Sequence, residues 1–213
     1  MTAAAPLPQA LLAQASKLGT STVYEASGIA CSIDPGIRPV WQGATVAASA
    51  YRLACAPQDN LALHLALEKA PAGSVLVVEA GGFPAGYWGE VLTVAAAQRG
   101  IMGLVINGSV RDNGALRDRG FPVFARGVSM RGTGKARVPA LGRPMIFCDV
   151  PVAAGDLVMG DEDGVLILPA GTVADVIGKA HARFEKELEM IEMPRTGATT
   201  VDLLGLAARR DKI

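Results

Sequence analysis

Apolar and polar positions along the chain change rhythm several times, and each change marks an element. Residues 8–18 and about 21–27 read as short helices, the second capped by Ser21 or Thr22 and stopped by Gly28. A strand is expected over 44–54. Residues 59–73, DNLALHLALEKAPAG, join a capping Asp59, strong helix formers and an ending that contains Pro and Gly, which predicts a helix. The apolar run SVLVVEA at 74–80 then reads as a strand, 90–100 as a helix closed by Gly100, and MGLVIN at 102–107 as a second apolar strand. Strand, helix and strand in this order make a βαβ unit with a parallel sheet. Further on, 121–127 and 144–150 read as strands and 156–169 as two strands about a turn; 170 to about 192 is a helix with an exposed charged face, and a short helix follows near 200–208.

This order places two loops together. Both strands of a βαβ unit end on the same edge of the sheet, so AGGFPAGYWG at 80–89 and NGSVRDNG at 107–114 are expected to face one crevice, where open α/β sheets bind ligands. Neighbours in an extended chain point to opposite sides, so Arg111 and Asp112 are expected to have partners other than each other. The helix that starts at Glu90 leaves the amides of Val91 and Leu92 without intrahelical acceptors, a geometry suited to a small carboxylate or phosphate. Arg111 offers a fork of donors to the same anion, and Asp112 and Glu90 offer hard oxygens or proton acceptors. The same residues also admit a purely structural reading: Glu90 favouring its helix terminus, Arg111 pairing with any acid, and Asp112 capping the next helix.

Composition narrows the classes. The chain has 213 residues, half of them hydrophobic, enough for one good-sized core. Its 20 Lys+Arg balance 20 Asp+Glu, which argues against a nucleic-acid binder and favours small neutral partners or a protein. Cys31, Cys55 and Cys148 are odd in number and lack CxxC spacing, so neither a disulfide framework nor a zinc site is indicated. The first residues lack the cationic start and apolar run of a leader, and no uncharged stretch reaches the roughly 20 residues that span a bilayer, so a cytoplasmic location away from membranes is expected.

Other chemistries find less support. Lys17, Lys69, Lys135, Lys179, Lys186 and Lys212 all lie in polar or helix-surface contexts, unlike an imine-forming lysine. His64 and His181, the two histidines, sit far apart in predicted helices and read as packing or surface residues. GDEDG at 160–164 reads as a hairpin turn, AGGFPAG lacks a nucleotide-binding signature, and the basic stretch 126–137 reads as a solvated loop. Tyr87 and Trp88 either line the pocket or cover the loop.

The run GYWGEVLTVAAAQRGIMGLVINGSVRD, followed by FPVFARG and GDLVMGDEDGVLILP, resembles the RraA-like family over about residues 20–190. That family includes divalent-metal-dependent class II pyruvate aldolases acting on 4-hydroxy-4-methyl-2-oxoglutarate and 4-carboxy-4-hydroxy-2-oxoadipate. The aldolase signature is an acid, twenty intervening residues, then Arg-Asp; Glu90, Arg111 and Asp112 have this spacing. The resemblance implies a single α/β domain over 1–213, of the swivelling β/β/α type, with 170–213 a helical tail packing on a neighbouring subunit. It also implies that Asp112 holds Mg²⁺ or Mn²⁺ largely through water, and that Arg111 binds the pyruvate moiety and steadies its enolate. Glu90 would hold a catalytic water, and Val91 and Leu92 would receive the substrate carboxylate. Glu187 or Glu185 would complete a neighbour's site, Glu187 being preferred, in a homotrimer or homohexamer. Oxaloacetate decarboxylation would use the same enolate chemistry. The family also holds non-catalytic proteins that bind and inhibit an RNA-degradation endonuclease; the full acid, Arg and Asp set points instead to an enzyme. A methyltransferase label attached to the family has no glycine-rich nucleoside turn here to support it.

Overall fold

A computed structural model describes residues 6–210. The expected domain limits at 1 and 213, the opening residues 1–5 of the stretch expected to lack a leader, and Lys212 lie outside the described residues. In chain order the helices are α1 (Gln9–Ala15), α2 (Thr20–Ser27), α3 (Leu61–Lys69), α4 (Glu90–Gln98), α5 (Asn113–Asp118), α6 (Val173–Glu192), α7 (Thr200–Leu203) and α8 (Ala207–Arg210). The strands are β1 (Arg38–Pro39), β2 (Val46–Ala54), β3 (Ser74–Glu79), β4 (Gly103–Val110), β5 (Val123–Val128), β6 (Ala140–Leu141), β7 (Met145–Phe147), β8 (Val150–Val152), β9 (Leu157–Gly160) and β10 (Val165–Leu168).

The main sheet runs β1-β5-β4-β3-β2-β9-β10, with β6 beside β2. β2, β3, β4 and β5 are mutually parallel, whereas β9, β10, β1 and β6 join antiparallel. The expected unit β3-α4-β4 is therefore flanked by β2-α3-β3 and β4-α5-β5, so three βαβ units follow one another. The chain before β1 bridges β10 through Ser32 and Leu166, and β1 then pairs with β5, so the mixed sheet nearly closes on itself.

Apolar alternation explains this closure. One face of the strands carries Val46, Ala48, Ala50, Val75, Val77, Val105 and Phe124, which pack inside the curl with Phe147, Val158 and Ile167. The other face carries Leu53, Leu76, Val78, Leu104 and Ile106, covered by α3 and α4. A third cluster seats α1, α2 and α6 on β9 and β10. Strands buried on both faces have near-continuous apolar runs, as the sequence shows for 74–80 and 102–107.

Two expectations are corrected. The stretch 144–150 is a hairpin of β7 and β8, not one strand, because Cys148 and Asp149 both adopt left-handed backbone (φ 47° and 68°) and turn the chain between Phe147 and Val150. The β4 strand continues through Ser109 to Val110, so residues 108–110, expected in the loop, belong to the sheet. Its register against β5 shifts between Ile106 and Ser109, and this irregularity lets the strand run on.

Candidate functional site

The extension of β4 stitches the two expected loops together. Tyr87 N donates to Ser109 O at 3.1 Å, and Arg111 N donates to Trp88 O at 2.8 Å. This short ladder carries the chain directly into α4 on one side and to Asp112 on the other. Asp112 adopts a left-handed conformation (φ 57°, ψ 37°), which turns its carboxylate back toward both partners. Its Oδ2 accepts from Glu90 N at 3.0 Å and lies 3.8 Å from Arg111 Nε. The expectation that Arg111 and Asp112 do not pair is thus corrected: side-chain alternation holds for extended backbone, and Asp112 is not extended. Nor does Asp112 cap α5 through its side chain, although it occupies the capping position.

A cavity of about 300 Å³ opens here, lined by Val91, Leu92, Arg111 and Asp112, with Asn60 from the entry of α3, His64 from α3 and Lys135 from the loop after β5. Since Glu90 N is taken by Asp112, the free amides of the first turn are those of Val91 and Leu92, which have no acceptor among the described residues. The expected anion socket and Arg111 therefore share one cavity wall. Glu90 is adjacent, but its Oε1 accepts from Arg119 Nε at 3.1 Å and Nη2 at 2.6 Å. A larger groove of about 510 Å³ lies elsewhere, between α1 and the starts of the strands, and contains none of the expected site residues.

Glu187 and Glu185 do not reach this cavity within the chain. Glu187 faces α2, where its Oε2 accepts from Thr22 Oγ1 at 3.3 Å and its Oε1 pairs with Arg183 Nε at 2.7 Å. Glu185 is exposed on another face of α6. Tyr87 and Trp88 are fully buried core residues. Tyr87 Oη accepts from Gln58 N at 2.9 Å, and Trp88 Nε1 donates to Thr93 Oγ1 at 2.7 Å while its ring stacks on Phe121.

Sequence reasoning missed three lining residues. His64 is half-buried at the cavity, and burial, followed by the charge of Lys135, holds its pKa below the usual imidazole range. Lys135 belongs to the site wall and not to a free loop. Asn60 donates through Nδ2 to Tyr87 O at 2.9 Å and leaves its buried Oδ1 without a partner. The Asp-Asn pair at the entry of α3 was the available signal for Asn60; nothing local marks the other two.

The donor set can be weighed against a divalent cation. Among the described residues no cluster of three or more His, Cys, Asp or Glu side chains is spaced to hold a metal. Asp112 nevertheless fits a mostly hydrated Mg²⁺ or Mn²⁺: one half-exposed hard carboxylate beside a polar cavity, with its Oδ2 oriented by the Glu90 amide.

The RraA-like family model, described as Aldolase/RraA, matches residues 20–167, and the chain belongs to that family. A protein of Halalkalibacterium halodurans named "Putative 4-hydroxy-4-methyl-2-oxoglutarate aldolase" is 30% identical over 165 residues, covering 77% of this chain and 79% of that protein. Protein DlpA of Legionella pneumophila is 34% identical over 164 residues, which cover 72% of this chain but only 26% of that longer protein. Among solved structures, an uncharacterized protein of Pseudomonas syringae superposes with a TM-score of 0.83 at 27% identity, covering 93% of this chain and 94% of that one. Streptomyces coelicolor RraAS2, described as an unusual member of the RNase ES inhibitor RraA protein family, superposes with a TM-score of 0.74 at 26% identity, covering 87% and 99%.

Proposed function

We propose that this protein is a divalent-metal-dependent lyase that releases pyruvate from a 4-hydroxy-2-oxo acid such as 4-hydroxy-4-methyl-2-oxoglutarate, with oxaloacetate decarboxylation as a related activity. One observation carries the reading: Arg111, Asp112, Val91 and Leu92 line a single small cavity, and the amides of Val91 and Leu92 have no acceptor among the described residues. The aldolase name of the Halalkalibacterium halodurans relative supports it.

The amides of Val91 and Leu92 receive the substrate carboxylate, and Arg111 sets its fork of donors against the 2-oxo end. A proton leaves the C4 hydroxyl, the C3–C4 bond breaks, and its electron pair moves into the pyruvate enolate. Arg111 steadies the charge that develops there. Glu90, anchored through one oxygen by Arg119, orients the water that takes the hydroxyl proton, and a proton is then returned to C3 to form the methyl group. Glu187, or Glu185, from another copy assists this transfer. Mg²⁺ or Mn²⁺ at Asp112 would supply Lewis-acid stabilisation of the enolate.

The alternative is a non-catalytic regulator that binds an RNA-degrading endonuclease, favoured by the likeness to RraAS2. Two variants separate the readings. Asp112→Ala should abolish most pyruvate release, with excess Mg²⁺ restoring only part, and Arg111→Ala should lower kcat by about 10²-fold or more at saturating metal. Unchanged rates in both variants would remove this site from the chemistry.

A further inference from the structure

The groove between α1 and the strand starts has no part in the reaction above. Its volume of about 510 Å³ lies within the usual range for small-ligand sites. The walls are mainly apolar: Leu12 comes from α1, Ile101 and Met102 precede β4, Phe121 precedes β5, and Met159 belongs to β9. Among the described residues that line it, Arg119 alone carries a charge. An apolar concavity with one cation and no carboxylate on its wall is complementary to an apolar body bearing a single negative charge. The thioethers of Met102 and Met159 favour an aromatic body, since sulfur makes favourable contacts with ring edges.

Arg119 also faces away from the groove. Its Nε and Nη2 both donate to Oε1 of Glu90, at 3.1 Å and 2.6 Å, and its side chain makes no other hydrogen bond or ion pair among the described residues. A guanidinium carries five N–H donors in a planar fork, so this grip uses one edge and leaves the Nη1–Nη2 edge open. The side chain is 46% exposed, which makes that second edge reachable. One guanidinium therefore joins the groove to the acid placed beside the catalytic cavity.

We propose that this groove is a second ligand site, for a small aromatic monocarboxylate whose head group takes the open edge of Arg119 in charge-assisted hydrogen bonds. Its ring lies among Leu12, Met102, Phe121 and Met159. The ligand carboxylate and Glu90 share one positive charge and repel each other across it, so an occupied groove loosens the hold on Glu90. By linkage, removing the Glu90 charge strengthens ligand binding. Only the consequence for turnover rests on the part given to Glu90 in the lyase reading; the binding does not.

Calorimetric titration of the full chain tests the site with 3-phenylpropanoate and with 3-phenylpropan-1-ol, which keeps the ring and chain without the charge. The wild-type protein should bind the acid at least about tenfold more tightly than the alcohol. Arg119→Met should bring the acid to within about twofold of the alcohol, and Arg119→Lys should restore part of the preference. Ala13→Trp, at an exposed α1 position on the groove wall, should block both compounds while the circular dichroism spectrum stays native. Arg111→Ala should leave both affinities unchanged, which separates the groove from the catalytic cavity. Glu90→Gln should tighten binding of the acid alone by about fivefold or more; an unchanged affinity would overturn the link to Glu90. Equal wild-type affinities, a preference that survives Arg119→Met, loss of binding in Arg111→Ala, or binding of neither compound would overturn the site. All these readouts are equilibrium affinities, so a protein that binds the acid as described and releases no pyruvate keeps the site and loses only the lyase reading.

Discussion

Gly89 is the residue on which the site's geometry depends most sharply. Its backbone is extended, so conformational freedom is not the reason for glycine; space is. A Cβ there would fall on Asp112 Oδ2 and lie 3.1 Å from Arg111 Cγ. Gly89→Ala should therefore displace the carboxylate that would hold the metal and weaken Mn²⁺ binding by about 10–100-fold, the usual effect of disturbing a ligand's support. Calorimetry would measure it, and unchanged affinity would show that Asp112 is not held as described. The spacing of Glu90, Arg111 and Asp112 was legible because it lies within one βαβ unit and the turn after it. The hold of Arg119 on Glu90 was not, since it depends on where α5 ends. Nor was the left-handed Asp112, because aspartate occupies ordinary backbone at most positions.

At the scale of elements, Asp59 ties the Lys135 segment to α3. Burial alone would raise its pKa, but the amides of Leu61 and Ala136, with those of Arg137 and its charge, outweigh burial and hold the carboxyl below its ordinary 3.8. A depressed carboxyl pKa contributes stability above the unfolded value and loses it as pH falls through the folded one. The urea midpoint of the wild-type protein should therefore fall as pH drops below about 4, the unfolded carboxylate range. Asp59→Asn should be less stable at pH 7 and show a shallower acid decline; equal slopes would remove Asp59 from that linkage. Apolar periodicity located β2, α3, β3, α4 and α6 well. It missed the β7–β8 hairpin, whose Cys-Asp turn lacks the Asn-Gly or Asp-Gly pair that normally announces one. It also saw one βαβ unit where three follow in series, because pairing of β2 with β3 is a long-range choice.

Across the whole molecule, the sheet curls around an apolar interior and leaves its catalytic candidates at the strand ends, while α6 reaches past its contact with α2. No helix among the described residues is long and apolar enough to cross a membrane. Arg183 joins Glu25 and Glu187 where α6 meets α2, but Leu188 and Ile191 beyond remain exposed. We propose that these apolar positions seat the tail on another copy in a trimer or hexamer. Leu188→Glu combined with Ile191→Glu should then lower the mass seen by light scattering and reduce pyruvate release, while the circular dichroism spectrum stays native. A wild-type protein already monomeric and fully active would refute the shared site. Such assembly is hard to read from one sequence, since an exposed leucine on a helix has no unique partner.

A coupled assay measures metal-dependent release of pyruvate. The full chain is given 4-hydroxy-4-methyl-2-oxoglutarate, its 4-carboxy analogue or oxaloacetate, first after EDTA treatment and then with Mg²⁺ or Mn²⁺ added back. Pyruvate should appear from at least one substrate, be lost with EDTA and return with metal. No metal-dependent pyruvate from any of the three would contradict the lyase reading.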